Sequence, residues 1–212
     1  MEFLDKELDD YVVAHSGNEP ELLNRLYRET HLKMLMPRMI SGPFQGRLLS
    51  MLAKMIQPKY ILELGTYTGY SALCLAEGLA TDGEIHTIDK NEEREGFVQE
   101  FIKEAGYEKQ IFQHIGNALE IIPILEYDWD MVFIDADKEN YLNYYELLIP
   151  KMKSGSYILA DNMLWTGKVI DKNENDLDTQ ILRKLNERMT ADNRIENILL
   201  PIRDGLQVGR IK

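Results

Sequence analysis

Ile61-Leu62-Glu63-Leu64-Gly65-Thr66-Tyr67-Thr68-Gly69-Tyr70-Ser71 joins an apolar run to a glycine turn, and Ala72-Leu73-Cys74-Leu75-Ala76-Glu77 continues it with a helical pattern. A strand, a tight turn and a helix in that order hold a ligand over a helix N-terminus. Gly65 and Gly69 carry no Cβ, so the backbone bends sharply and a ligand lies against it. Glu63 puts a carboxylate at the carboxyl end of the strand, which disfavours a pyrophosphate and favours a cationic or amine-bearing ligand. Asp89, twenty-four residues after Gly65, closes the next apolar strand, Glu84-Ile85-His86-Thr87-Ile88-Asp89. That is where a doubly wound fold hydrogen-bonds a ribose diol. The spacing fits adenosine, and the acid at 63 argues against a dinucleotide. Alone, the two glycines also fit a plain strand-to-helix turn, so the partners further along decide.

From residue 59 onward strand and helix patterns alternate. Strands are expected at 59–64, 84–89, 111–116, 129–135 and 156–161, with helices near 70–80, 91–105, 117–125, 138–151 and 174–190. Alternation implies right-handed crossovers and a parallel sheet with helices on both faces. The end differs, because 195–202 and 206–211 are separated only by Arg203-Asp204-Gly205, too short for a crossover. The last strand must therefore run antiparallel. Upstream, helical spacing covers residues 2–15, including Phe3 and Leu4, and 21–36, with Pro37 as a stop. Ser41-Gly42-Pro43-Phe44-Gln45-Gly46 is expected to be a flexible segment, lid or connector, before a helix at 47–57.

Composition bounds the rest. The 212 residues are 44% hydrophobic, enough for one substantial core and one domain. A formal charge of −12 opposes broad affinity for nucleic acid or an anionic membrane, leaving at most a local basic rim from Arg38, Arg47 and Lys168. The single cysteine, Cys74, excludes an intramolecular disulfide and reads as core. No apolar run reaches membrane-spanning length, and no secretory leader is evident, so a cytoplasmic protein is expected.

Ligands in such a sheet sit beyond the carboxyl ends of the strands. Asp135 ends one strand, Asp161 and Asn162 end the next, and Lys138 lies just beyond. Two carboxylates and a carboxamide oxygen, without histidine or cysteine, form a hard-oxygen set suited to Mg²⁺ or Ca²⁺ and not to zinc. Helix capping is the structural alternative, and Asp137 is expected to cap the helix beginning at Lys138. The four histidines show no ligand spacing.

Taken in order, Glu63 to Ser71, Asp89, Gly116-Asn117-Ala118, Asp135-Ala136-Asp137-Lys138 and Asp161-Asn162-Met163-Leu164-Trp165 resemble the successive motifs of the cation-dependent, S-adenosylmethionine-using O-methyltransferases. These include catechol and caffeoyl-coenzyme A O-methyltransferases and bacterial relatives. The resemblance spans residues 37–212 and implies a single-domain, Rossmann-like class I methyltransferase. Its α/β sheet would be seven-stranded and mostly parallel, with residues 1–57 as N-terminal helices and lid and 58–212 as the cofactor- and metal-binding core. A homodimer is also implied.

Carried over by position, the resemblance assigns Glu63, Gly65 and Ser71 to the methionine end of the cofactor, Asp89 to its ribose and Ala118 to its adenine, with Thr66 and Tyr67 also among the cofactor-binding positions. Met39 and Ser41 match lid positions that touch the cofactor, and Asp135 borders it. Asp135, Asp161 and Asn162 match the metal ligands for Mg²⁺, Mn²⁺ or Ca²⁺, and Lys138 matches the general base. Trp165 and Tyr70 are expected to wall the acceptor. Thr166 stands where the plant enzymes carry an acceptor-touching asparagine, so the acceptor does not transfer with the rest. The expected acceptor is a small catechol or vicinal diol; a hydroxylated tRNA base is the alternative.

Overall fold

The computed structural model of the protein describes residues 5–212. Seven strands form one sheet: β1 (Tyr60–Leu64), β2 (Glu84–Asp89), β3 (Ile111–Ile115), β4 (Met131–Ile134), β5 (Tyr157–Ala160), β6 (Ile195–Leu200) and β7 (Leu206–Ile211). Their order across the sheet is β3-β2-β1-β4-β5-β7-β6. β1 pairs parallel with β2 and β4, and β4 parallel with β5. β7 runs antiparallel to both β5 and β6 and lies between them; the short Arg203-Asp204-Gly205 connection accounts for its antiparallel pairing with β6. Strand order reverses between β1 and β4, the switch point at which open α/β sheets leave a crevice for ligands.

Alternation along the strands divides the core into two layers. Leu62 and Leu64 join Trp129, Tyr141, Tyr145 and Leu182 on one face, under α7 (Tyr141–Leu148) and α8 (Leu177–Ala191). Ile61 joins Leu26, Leu49, Tyr70, Leu75 and Phe101 on the other, under α2 (Glu21–Lys33), α3 (Gly42–Ile56), α4 (Tyr70–Ala76) and α5 (Glu95–Glu104). α6 (Ala118–Ile121) is a single turn, and α1 (Lys6–Ala14) precedes α2. The share of the first helix expected from Phe3 and Leu4 lies outside the described residues.

Two boundaries differ from the sequence expectation. α2 stops at Lys33, because Met34 is already extended; Met36, directly before Pro37, is non-helical too, as a residue preceding proline tends to be. α3 starts at Gly42, so the segment expected to be flexible is the first turn of a helix. Pro43 lies in that first turn, where its missing N–H costs nothing, and Gly46 packs so closely on α4 that a Cβ would stand 2.7 Å from Cε1 of Tyr70. Gly78 gives the same intimacy at the other end, where a Cβ would stand 2.2 Å from the backbone nitrogen of Lys54.

A carboxylate locks these two helices. Glu77 accepts from Arg47 at 2.6 and 2.9 Å, from Ser50 at 2.7 Å and from Lys54 at 2.9 Å. Burial pushes its carboxyl up, but the bonds from Arg47, Lys54 and Ser50 outweigh burial and hold it down at about 2. A carboxyl with a folded pKa below its unfolded value of about 4.3 stabilises the fold above that value and loses the contribution as pH falls toward the folded one. Acid unfolding followed by circular dichroism should therefore show Glu77→Gln flattening the stability loss between about pH 5 and pH 2. At pH 7 the variant should lose about 1–3 kcal/mol, since Arg47 is left without its partner. Parallel acid limbs in the two proteins would assign that limb to other carboxyls.

Candidate active site

The glycine turn is built by exclusion. Gly65 has φ +102° and its missing Cβ would stand 1.9 Å from the carbonyl oxygen of Asp135, so only glycine lets β1 and β4 end side by side. Glu63 is fully buried beneath it. Its Oε2 accepts from the Thr87 hydroxyl at 2.5 Å, and Thr87 pairs at 2.6 Å with Thr66. Oε1 is buried without a hydrogen bond of good geometry. Burial pushes the carboxyl up to about 7; Ser71 and Thr87 oppose the rise, and Asp135 and Asp89 add to it. A buried acceptor in this state calls for a donor, best a cationic one.

Asp89 is more engaged than its position suggested. Oδ2 accepts from the Tyr67 amide at 2.8 Å, and Oδ1 from the Asn91 amide and the Arg94 guanidinium, each at 2.9 Å. Arg94 lies 4.9 Å from the centre of the Tyr67 ring and holds the left-handed Tyr67 (φ +47°) in place. The Tyr67 hydroxyl donates to the Met36 carbonyl at 3.0 Å, tying the glycine turn to the segment before α3. Ala118 opens α6, whose first turn is capped by the Asn117 side chain through the Leu119 amide.

β4 and β5 carry the second half of the site. Asp161 is buried; its Oδ1 accepts from the Asn162 amide at 2.7 Å and its Oδ2 from Nε2 of Gln45 at 2.8 Å. Burial first, and the neighbouring Asp135 second, push the Asp161 carboxyl up. Asn162 adopts left-handed φ +61°, a conformation asparagine tolerates, as the chain turns away from β5. Lys138 Nζ donates to the Tyr141 hydroxyl at 2.6 Å, the Ala136 carbonyl at 3.2 Å and Asp135 Oδ1 at 3.3 Å. Asp137 occupies the N-cap position but does not cap, in contrast to the expectation; it accepts from Tyr144 at 2.6 Å and from Asn140.

Among the described residues no three of histidine, cysteine, aspartate and glutamate gather as a metal cluster. Asp135 and Asp161 follow paired strands, close enough for each to act on the other's charge, and Asn162 comes next in the chain; oxygen donors of this kind suit a hard dication.

Beyond β5, Trp165, Thr166 and Gly167 are successively left-handed, with φ of +46°, +51° and +84°. Such a run persists only where its surroundings over-determine it. Asp204 accepts from the Thr166 amide, and Arg183 donates to the carbonyls of Lys168, Val169, Asp171 and Glu174. The half-buried Trp165 ring centre lies 6.0 Å from Lys138 Nζ. Tyr70 is elsewhere: it is buried in the helix layer with its hydroxyl donating to Glu19, and does not wall this crevice. Ser41 is buried at the start of α3, whereas Met39 is 54% exposed. Of the three basic residues expected at the rim, Arg47 is consumed by Glu77, Lys168 lies 3.6 and 3.5 Å from Glu174 and Asp176, and Arg38 is exposed.

Gln45, Arg94, Arg183 and Arg203 were not marked by sequence. Arg94, five residues past Asp89 at the start of a helix, was the one with a local sign. The others act through contacts between distant parts of the chain. Among the described residues no helix is long and apolar enough to cross a membrane.

A family model described as O-methyltransferase matches residues 13–212. The chain is 35% identical over 218 residues to caffeoyl-CoA O-methyltransferase 1 of Arabidopsis thaliana, covering 96% of this chain and 84% of the relative. It is 37% identical over 203 residues to caffeoyl-CoA O-methyltransferase 1 of Eucalyptus globulus, covering 91% and 82%. Among solved structures, the O-methyltransferase from Bacillus cereus in complex with SAH matches with a TM-score of 0.89 at 28% identity, over 97% of each chain. TomG from Streptomyces achromogenes, an O-methyltransferase involved in tomaymycin synthesis and solved with SAM, matches at 0.88 and 28% identity, over 97% of this chain and 96% of its own. With its sheet order, its glycine turn and its buried Glu63, the chain belongs to the O-methyltransferase family and is an S-adenosylmethionine-dependent enzyme.

Proposed function

We propose that this enzyme requires a divalent cation and methylates one hydroxyl of a small catechol or related vicinal diol. The observation that carries the reading is the pairing of Asp135 and Asp161 at the ends of adjacent strands, where burial and mutual repulsion push the Asp161 carboxyl up. Two acids in that position gain most from a positive charge between them. Asp135, Asp161 and Asn162 would hold the cation. Bound there, it supplies Lewis acidity that lowers the pKa of a coordinated hydroxyl by several units, as Mg²⁺ does in oxygen-rich sites. The names of the plant relatives, caffeoyl-CoA O-methyltransferases, support a catecholic acceptor.

The remaining work falls to side chains. Glu63 meets the amine end of S-adenosylmethionine with its free Oε1, and Asp89, fixed by Tyr67 and Arg94, meets the ribose. Trp165 stacks against the acceptor. Lys138 is the side chain placed to receive the acceptor's proton, its Nζ held by Tyr141 and the Ala136 carbonyl. The acceptor oxygen then forms a bond to the methyl carbon as the carbon–sulfur bond breaks, leaving the thioether product. Holding oxygen and methyl in line supplies much of the rate. An RNA acceptor would need a basic rim, and with Arg47 and Lys168 paired to acids that reading draws on Arg38.

The test is methyl transfer to a panel of catechols, single phenols and tRNA, before and after EDTA and after Mg²⁺ is restored. Transfer to vicinal diols, lost with the chelator and regained with the metal, is the expected result. Unchanged transfer in EDTA sinks the metal reading, and transfer to tRNA alone sinks the acceptor class.

A further inference from the structure

Gln45 is a buried polar side chain, 1% exposed, with both ends of its amide engaged. Its Nε2 donates to Asp161 Oδ2 at 2.8 Å, and its Oε1 accepts from Nη1 of Arg203 at 2.9 Å. The same Nη1 donates to the Ile40 carbonyl at 3.3 Å and to the Ser41 carbonyl. Arg203 reaches there from the turn between β6 and β7, where it takes left-handed φ +51°, an uncommon conformation for a residue with a side chain. That turn also holds the backbone after Asp161. Met163 donates to the Gly205 carbonyl at 3.0 Å and Leu164 to the Asp204 carbonyl at 2.8 Å.

The chemistry of the donors fixes a direction. A guanidinium has five N–H donors and no acceptor, so the amide atom facing Arg203 must be the oxygen. The NH₂ of Gln45 is thereby aimed at Asp161. One Asp161 oxygen is held by Gln45 and the other by the Asn162 amide, which fixes the plane of the carboxylate and leaves a lone pair on each oxygen for a further partner. Without Arg203, Gln45 Oε1 loses its side-chain donor, and the carbonyls of Ile40 and Ser41 lose a charged one.

We propose that Arg203 and Gln45 are positioning residues that orient Asp161 as a cation ligand and couple it to the backbone of Ile40 and Ser41, the latter a position expected to touch the cofactor. The proposal rests on the metal reading above. Since both half-sites lean on one guanidinium, cation and S-adenosylmethionine should each tighten the binding of the other, and by the same factor.

The experiment uses the full chain and Mn²⁺ as probe. Free Mn²⁺ is counted by electron paramagnetic resonance with and without S-adenosylmethionine, in wild type, Arg203→Ala, Arg203→Lys, Gln45→Leu and Asp161→Ala, with melting temperature measured for each. Expected is a dissociation constant for Mn²⁺ raised about tenfold or more in Arg203→Ala and Gln45→Leu, the loss usual when a ligand's hydrogen-bond partner is removed. Arg203→Lys, which restores a donor, should recover part of it, and the cofactor's effect on Mn²⁺ binding should shrink toward unity in Arg203→Ala. A general loss of folding would weaken every variant in step with its melting temperature and give no lysine rescue; that pattern overturns the proposal. So does wild-type Mn²⁺ affinity in Arg203→Ala and Gln45→Leu while Asp161→Ala loses it. If wild type and Asp161→Ala bind Mn²⁺ equally, or neither does, the metal reading itself fails.

Discussion

Asp135→Ala is expected to lower kcat/KM for methyl transfer about a thousandfold, with added Mg²⁺ giving no recovery. The size follows from acceptor chemistry. A catecholic hydroxyl has a pKa of about 10, so ionising it at pH 7 without help costs about 4 kcal/mol, or three decades in rate. Asp135→Ala leaves Asp161 as the one carboxylate of the set, too little charge to hold a hard dication firmly. Stability should respond differently. Asp135 raises the pKa of both Asp161 and Glu63, so its removal relieves two buried acids while Lys138 keeps its bonds to Tyr141 and Ala136. The melting temperature should stay within a few degrees of wild type, a change of about 1 kcal/mol or less. Asp137→Ala makes the control: it removes the partner of Tyr144 and Asn140 and should cost stability while leaving metal dependence intact. Steady-state rates with the melting curve decide the matter, and an Asp135→Ala enzyme within tenfold of wild type would remove Asp135 from the chemistry.

Gly65→Ala should abolish cofactor binding and destabilise the fold together. An alanine there meets a left-handed φ, costing about 1–2 kcal/mol, and a Cβ 1.9 Å from the Asp135 carbonyl, which only a main-chain shift can relieve. Forcing extra carbon into a packed site costs about 1–3 kcal/mol more. The sum approaches half of the total stability of many domains, about 5–15 kcal/mol. Because the shift separates β1 from β4, Glu63 and Asp135 move apart, and calorimetry should detect no S-adenosylmethionine binding even where circular dichroism still reports a folded chain. The same change at Gly106, where a Cβ meets nothing within 4 Å, carries the φ penalty alone and should bind normally. Equal behaviour of the two variants would mean that φ, and not the approach of Asp135, governs position 65.

These expectations show which parts of the molecule are written locally. The strands and the glycine turn could be placed from sequence because hydrophobic alternation and a required positive φ are properties of a few consecutive residues. Asp135 and Asp161 could be expected at one edge because the strands they follow pair in parallel. The start of α3 could not, since Gly42, Pro43 and Gly46 read as a flexible stretch until the closeness of Tyr70 and Cys74 explains why a helix there must be bare on one side. Tyr70 was misplaced for a related reason: a residue after a glycine turn can face the crevice or the helix layer, and Glu19, 51 positions away, decides for the helix layer. Gln45 and Arg203, separated by 158 positions, carry no local mark at all.

The insertion of β7 between β5 and β6 has a kinetic consequence. β6 and β7 are neighbours along the chain and close as a hairpin with little loop entropy, but β5 receives its second partner only when that hairpin docks. Until docking, the Arg203 guanidinium at its tip is apart from the Gln45 amide to which it donates. Competence to bind ligands should thus arrive after most secondary structure has formed, making the crevice the last part of the molecule to mature.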